Sequence, residues 1–389
     1  MKNIYLDYAS TTYVDRGVLK KMLPFFSNFF GNPSSLHMAG RTNKKAIDMA
    51  RAGIASILKA RREEIIFTGS GTESDNLAVI GTALANSKFG KHIIISKIEH
   101  KAVLEAAKKL EKQGFEVTYL NVDQDGLVKL TELKKSLRKD TVLVSIQYAN
   151  NEIGTIQDIS EISKIIKLFK KEKRFPLFHT DACQAAGALS LDVNKLGVDL
   201  MTFNGSKIYG PKGVGCLYVK IDTKIEPLIV GGGQEMGLRS GTENVPFIVG
   251  LSEALKLADK IRIKENKRQM QLRDYFVKNI MKSVDGVILN GHPKNRLPNN
   301  INISVKGIEG ESLVLMLDHY GIYCSTGSAC SSFDLVPSHV LAAVGLSAEL
   351  AQGSIRITLG RDTSKEKINY VLKILPVVVK KLREISSVA

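Results

Sequence analysis

The sequence predicts an α/β fold in which a large domain, built on a mixed or parallel sheet covered by helices, is joined to a smaller α+β unit. Three observations predict it. The chain has 389 residues, more than one average domain. From about residue 15 to residue 255, apolar runs of strand length alternate with helical patterns. Several of those runs end in clusters of Gly, Ser, Thr, Asp and Asn, at the carboxyl ends of strands where open α/β sheets gather their ligands.

The candidate strands, in order, are Glu64 to Phe67, His92 to Ser96, Val117 to Leu120, Val142 to Gln147, Leu177 to Thr180, Leu200 to Phe203 and Gly215 to Val219. A glycine cluster, Gly231 to Gly233, precedes QEMGLRSGTEN, and a long helical pattern from about Pro246 to Ser283 reads as a bridge. Beyond it come short strands (Val287 to Leu289, Asn300 to Val305), a helix near Glu311 to His319, a loop of small residues, the strand IRITLG and an amphipathic segment that Pro376 is expected to interrupt. The N-terminal strand is expected to pack against this second unit. The expected division is therefore 15–255 for the large domain, with 1–14 and 256–389 forming the small one.

Composition excludes several classes. No run of eighteen apolar residues is present, and MKNIYLDYASTT carries an acidic residue where a secretion signal is apolar, so a cytoplasmic location without a membrane anchor is expected. Four cysteines are too few for a disulfide scaffold, and none stands in a CxxC pair with metal spacing. The net charge of +16 would draw phosphate-rich or acidic partners. The lysines lie mainly in helical surface patterns such as KKLEKQ and KLFKKEKR, with no interleaved aromatic residues, so direct nucleic-acid binding is not expected.

Chemistry concentrates in two segments. HTDACQAAG places Asp181 and Gln184 at the end of an apolar run, and NGSKIYGPKG places Lys207 in a glycine-bounded turn. A pyridinium ring needs an anion to keep its nitrogen protonated and an amine to hold it covalently, so the pair points to pyridoxal phosphate. TGSGTESDN offers backbone N–H groups at Gly71 and the Thr72 hydroxyl to an anion, although Ser70, Thr72 and Glu73 would equally serve to cap a helix. His100 follows another strand and could lie against a flat ring; a structural histidine is the plainer alternative. Far downstream, Cys330 in STGSACSS reads as a thiol on a loop of small residues, against the alternative of a buried structural cysteine.

Taken together, YLDYASTT, GNPSSLHMAGR, TGSGTESDNLA, EHKAVLE, YANNEIGTIQDI, FHTDACQAAG, KIYGPKGVG, GGGQEMGLRSGTEN, LPNNINIS, STGSACSS and SIRITLGR make the chain resemble the cysteine desulfurases, a branch of the fold-type I, class V aminotransferase group. The resemblance implies a mostly parallel seven-stranded sheet in the large domain. It implies that Lys207 holds the cofactor as a Schiff base, that Asp181 pairs with the pyridine nitrogen, that Gln184 and Asn151 contact the ring oxygen or substrate, and that His100 stacks on the ring. Gly71, Thr72, Ser206 and Asn204 would bind the phosphate, although the family commonly has serine and histidine where this chain has Asn204 and Ser206. Thr242 would reach the phosphate of a second subunit in a homodimer, and Arg356 would grip the substrate carboxylate; an ion pair of purely structural use is the alternative for Arg356.

The implied reaction converts L-cysteine to L-alanine and leaves the sulfur on Cys330, for delivery to an iron–sulfur scaffold or a tRNA-thiolation enzyme. The longer relatives carry a further C-terminal tail that docks the scaffold, beyond the point that LREISSVA reaches. Two rivals remain at this point: another class V reaction such as selenocysteine cleavage, and a cofactor-free interaction platform.

Overall fold

The computed structural model describes residues 3–327 and 338–385. Its strands are β1 (Ile4–Tyr5), β2 (Ile65–Thr68), β3 (His92–Ser96), β4 (Glu116–Leu120), β5 (Thr141–Ser145), β6 (Leu177–Asp181), β7 (Leu200–Asn204), β8 (Gly215–Val219), β9 (Val287–Leu289), β10 (Asn300–Val305), β11 (Ile322–Tyr323) and β12 (Ser354–Thr358). Seven of them form one sheet in the order β2-β8-β7-β6-β5-β3-β4. Only β8 runs against its neighbours in that sheet, so the carboxyl ends of all the others open on one edge. Apart from the edge strand β4, these strands are buried on both faces, which is why they read as largely apolar runs rather than alternating ones.

Alternate residues serve two cores. Ile94, Phe178, Met201 and Phe203 face one, together with the helices Met38–Leu58 and Ile159–Lys170. Ile93, Ile95, Leu177 and Leu200 face the other, with the helix Lys101–Glu111. The chain thus leaves β3 toward one face and β5 toward the opposite one, while β3 and β5 are neighbours. That reversal opens a crevice beyond their carboxyl ends, the usual ligand position in an open α/β sheet.

A third core gathers Phe276, Ile280, Ile301, Ile303, Leu313, Leu317, Ile355, Ile357, Val371 and Leu375 around the antiparallel sheet β12-β10-β9. Strand β1 pairs with β11 in parallel, and bridges at Asp7–Thr358 and Ser325–Arg356 bind this pair to β12. The helix Val245–Ser283, 39 residues and about 58 Å long, joins the cores: Ile248, Leu251 and Leu255 pack in the first, Phe276 and Ile280 in the third. Asn244 caps it by accepting from the Phe247 N–H, with Pro246 in the first turn, where a missing N–H costs nothing.

One expectation fails. The last helix, Lys365–Ile385, runs unbroken through Pro376. Val371 and Leu375 before the proline, and Val378 and Val379 after it, keep helical spacing against the same core, and that burial outweighs the one hydrogen bond proline removes.

Candidate active site

Asp181 ends β6 and is 8 % exposed; its Oδ1 accepts the Cys183 N–H at 2.8 Å. Two residues earlier on the same face, His179 is fully buried between neighbouring strands, with Nδ1 2.8 Å from the Ser145 hydroxyl and Nε2 3.1 Å from that of Thr202. Burial pushes His179 down to about 4, so the ring is neutral at physiological pH.

Two further carboxyls crowd behind Asp181, and sequence reasoning had missed both. Asp75, on the helix Gly71–Asn76, places Oδ1 3.7 Å from His179 Nε2. Burial first, and the negative charge of Asp181 second, hold its carboxyl well above the usual range. Glu99 accepts from the Ser96 hydroxyl (2.5 Å) and the Gln147 N–H (3.0 Å), yet burial still pushes it up to about 8. Their only sequence signal is position, beside the hydroxyl-rich turn and beside His100.

His100 caps the helix Lys101–Glu111, its Nδ1 accepting the Ala102 N–H at 3.1 Å. Burial lowers its pKa, Asp181 opposes that, and Lys207 adds to it, so the fields of both charges act on the imidazole. A neutral ring that accepts at Nδ1 carries its proton on Nε2, directed away from the helix.

Lys207 ends a single helical turn, Gly205–Lys207, immediately after β7. Its Nζ donates to the Ser10 carbonyl at 2.5 Å. The N-terminal segment also ties down this turn from both sides. The Thr12 hydroxyl donates to the Ser206 carbonyl (3.0 Å) and accepts from the Tyr209 N–H (2.8 Å). Gln184 Nε2 donates to the Ala9 carbonyl at 3.0 Å.

The turn before the helix Gly71–Asn76 combines both uses that its sequence allowed. Ser70 caps the helix, accepting from Glu73 N–H at 3.0 Å, while Glu73 reaches back to Gly69 N–H (2.9 Å) and is fixed by Arg239 (2.9 Å). The amides of Gly71 and Thr72 lie in the first turn, where no intrahelical acceptor exists. A Cβ at Gly71 would stand 2.8 Å from both Asn204 Nδ2 and Cys183 Sγ, so only glycine leaves this cradle open. Ser206 Oγ donates to Asn204 Oδ1 (3.2 Å), and Thr72 is exposed. A hydroxyl-lined amide nest, a buried carboxylate and a lysine on one sheet edge are the donor set that pyridoxal phosphate requires.

Arg356, on β12 and 2 % exposed, is held by five groups of the chain. Nη2 donates to Asp7 Oδ1 (2.9 Å) and Ser10 Oγ (2.7 Å); Nη1 donates to the carbonyls of Asn151 (2.9 Å) and, at longer range, Gly327 (3.4 Å); and the Ser325–Arg356 bridge fixes its backbone. Asn151 thereby meets Arg356 through its main chain. Thr242 is exposed on the glycine-rich loop and meets none of the other candidate residues among the contacts described.

Cys330 lies outside the described residues, although both flanks of that segment meet the site. Gly327 is on Arg356, and beyond the segment Ser338 donates to Glu152 (2.5 Å) while His339 Nε2 lies 3.0 Å from the Glu99 carbonyl. The other cysteines are poor nucleophiles: burial raises Cys183 and Cys216 and pushes Cys324 up to about 12.

Comparison with known proteins shows the family of the chain. Residues 4–371 match the family described as "Aminotransferase class-V". The chain is 53 % identical over 386 residues to the protein named cysteine desulfurase IscS of Dictyoglomus turgidum, covering 99 % of this chain and 96 % of that one. Among solved structures, one described as a NifS-like protein shares 40 % identity at a TM-score of 0.92, covering 98 % of this chain and all of its own. Another, described as SspA in complex with cysteine, shares 36 % identity at a TM-score of 0.80, covering 92 % and 98 %.

Proposed function

The chain belongs to the class-V aminotransferase family, and from that premise we infer that it is a pyridoxal-phosphate-dependent cysteine desulfurase, converting L-cysteine to L-alanine and passing the sulfur to an acceptor. The observation that carries the reading is the way Ser10 links Lys207 to Arg356, next to Asp181 and His100: an amine, a carboxylate anchor, a buried anion and a neutral imidazole share one crevice. A cofactor-free platform has no use for that convergence.

Lys207 would hold the cofactor, Asp181 would face its ring nitrogen, His100 its ring face and Gln184 its ring oxygen. Gly71, Thr72, Asn204 and Ser206 would take the phosphate. When bound, the cofactor supplies an electron sink for the carbon that carries the substrate amine. Arg356 would bind the substrate carboxylate, with Asn151 beside it, and so aim the α-hydrogen at Lys207, the base that removes it. His100 carries a proton on Nε2 to give to the departing group. The Cys330 thiolate would attack the substrate sulfur: the carbon–sulfur bond breaks, a sulfur–sulfur bond forms, and the proton of the thiol ends on alanine, so that cysteine plus thiol gives alanine plus persulfide. The raised pKa values of Cys183, Cys216 and Cys324 support Cys330 as the nucleophile.

The expected division of the chain at residues 15–255, with 1–14 and 256–389 as the second unit, is supported by the separate core around β10 and β12. A homodimer completed through Thr242 fits the exposure of Phe30, Leu36 and Val230, at 81 %, 89 % and 79 %, and the buried carboxylate oxygen of neighbouring Glu243, which has no partner among the described residues. Light scattering on the purified protein checks it, a monomer being the contrary result. A cytoplasmic enzyme supplying iron–sulfur assembly or tRNA thiolation is the physiological setting we propose; no helix among the described residues is long and apolar enough to cross a membrane.

The test incubates the protein with L-cysteine, measures alanine and locates the added sulfur by peptide mass. Cys330→Ala should stop alanine release yet keep the absorbance of the lysine-bound cofactor. Sulfur found on another cysteine would refute the site assignment.

A further inference from the structure

Ser10 touches both halves of the chemistry at once. Its carbonyl accepts from Lys207 Nζ at 2.5 Å, while its hydroxyl accepts from Arg356 Nη2 at 2.7 Å and donates to Asp7 Oδ1 at 2.8 Å. Asp7 in turn accepts from Arg356 Nη2 at 2.9 Å, closing a triangle of serine, aspartate and arginine. The lysine comes from the large sheet and the arginine from β12, some 150 positions later in the chain by sequence number, and one residue of the N-terminal segment spans them.

The guanidinium's hydrogen-bonding capacity shows where a substrate must enter. Of its five N–H groups, the two on Nη1 have carbonyl acceptors and the two on Nη2 have Asp7 and Ser10. Nε is buried and has no partner among the described residues. A carboxylate that takes the side-on fork of the arginine uses Nε together with Nη2, and so arrives on the edge that Ser10 and Asp7 already hold. Asp7 can only accept and must retain a cation. Ser10 is partly exposed, and its hydroxyl both accepts and donates, so it can turn its proton as the carboxylate shares Nη2.

We propose that Ser10, backed by Asp7, is a positioning residue that fixes the guanidinium of Arg356 in register with Lys207 and thereby sets where the substrate carboxylate sits. The proposal rests on the assignment of Arg356 as the carboxylate anchor.

The experiment compares Ser10→Ala, Ser10→Thr and Ser10→Val in the cofactor-loaded protein. All three keep the carbonyl on Lys207, so the absorbance of the lysine-bound cofactor should stay as in wild type. Loss of a hydrogen bond to a charged group should raise KM for L-cysteine about tenfold in Ser10→Ala and Ser10→Val, with kcat within about twofold. The dissociation constant of L-alanine, read by spectral titration without turnover, should rise by the same factor. Ser10→Thr should restore both constants. Threonine and valine share a shape and differ in the hydroxyl, so this pair decides the matter even if the alanine variant folds poorly. Equal KM and equal alanine affinity in the two would overturn the proposal, as would a fall in kcat with KM unmoved. A wild-type protein that releases no alanine from cysteine would instead sink the parent assignment.

Discussion

The sheet edge around Asp181 and the anchor around Arg356 bury charge by opposite means. Behind Asp181, burial and the neighbouring anion push the Asp75 and Glu99 carboxyls up, Glu99 to about 8, and burial pushes His179 down to about 4. Around Arg356 a guanidinium as deeply buried is surrounded by acceptors: an aspartate, a hydroxyl and two carbonyls. Desolvation favours the neutral form of a buried acid or imidazole, whereas a buried guanidinium, which cannot shed its proton, needs acceptors around it. A pyridinium at Asp181 would have that carboxyl as its partner, with two raised acids behind it, and a substrate carboxylate at Arg356 would meet a guanidinium already oriented.

The largest expected effect removes the covalent anchor: Lys207→Ala should lose both the absorbance of the lysine-bound cofactor and alanine release down to background, measured by spectrum and amino-acid analysis. Next comes the anion. Two unit charges 4 Å apart at an effective dielectric of 20 interact by about 4 kcal/mol, so Asp181→Asn should lower kcat by roughly 10²- to 10³-fold in steady-state assays. A residual rate near wild type would mean that the crowded carboxyls can substitute for one another. Arg356→Lys keeps a charge but not the fork, and should raise KM by about 10- to 100-fold while leaving the cofactor spectrum intact. If kcat fell instead, the two regions would not be separable as drawn.

The contrast also explains what was legible in the sequence. Asp181, Lys207, His100 and the glycine turn each follow a strand that reads as an uninterrupted apolar run, and parallel strands deliver their carboxyl ends to one edge, so local pattern was enough to bring them together. The strand boundaries came within a residue or two for the same reason. Asp7, Ser10 and Arg356 come from opposite ends of the chain, and long-range pairing, including the β1–β11 ladder and the bridges at Asp7–Thr358 and Ser325–Arg356, unites them, which no local periodicity encodes. Asp75 and Glu99 escaped notice because a carboxylate beside a hydroxyl-rich turn has the same sequence appearance whether water or protein lies above it. Pro376 misled because proline is a strong local signal that a shared apolar face overruled.

The remaining effect leaves catalysis aside: it is thermodynamic and isolates the buried-acid half of the comparison. Glu99 titrates at about 8 in the folded protein against an ordinary 4.5. Between those values the unfolded chain has released this proton and the folded chain has not, so the folded state binds more protons and its stability falls as pH rises through the window, levelling above it. Glu99→Gln imitates the neutral acid, keeping an oxygen for the Ser96 hydroxyl and the Gln147 N–H. Its stability relative to wild type should therefore grow with pH across the window, by on the order of a few kcal/mol at the upper end, in urea unfolding series at several pH values. His179 acts in the other direction: lowered to about 4 from 6.5, it withdraws stability as pH falls between those values, because only the unfolded chain can take up the proton. The two windows overlap without coinciding, so a difference between Glu99→Gln and wild type that stays flat with pH would show that Glu99 ionises as an exposed carboxylate does, and that desolvation does not govern this side of the molecule.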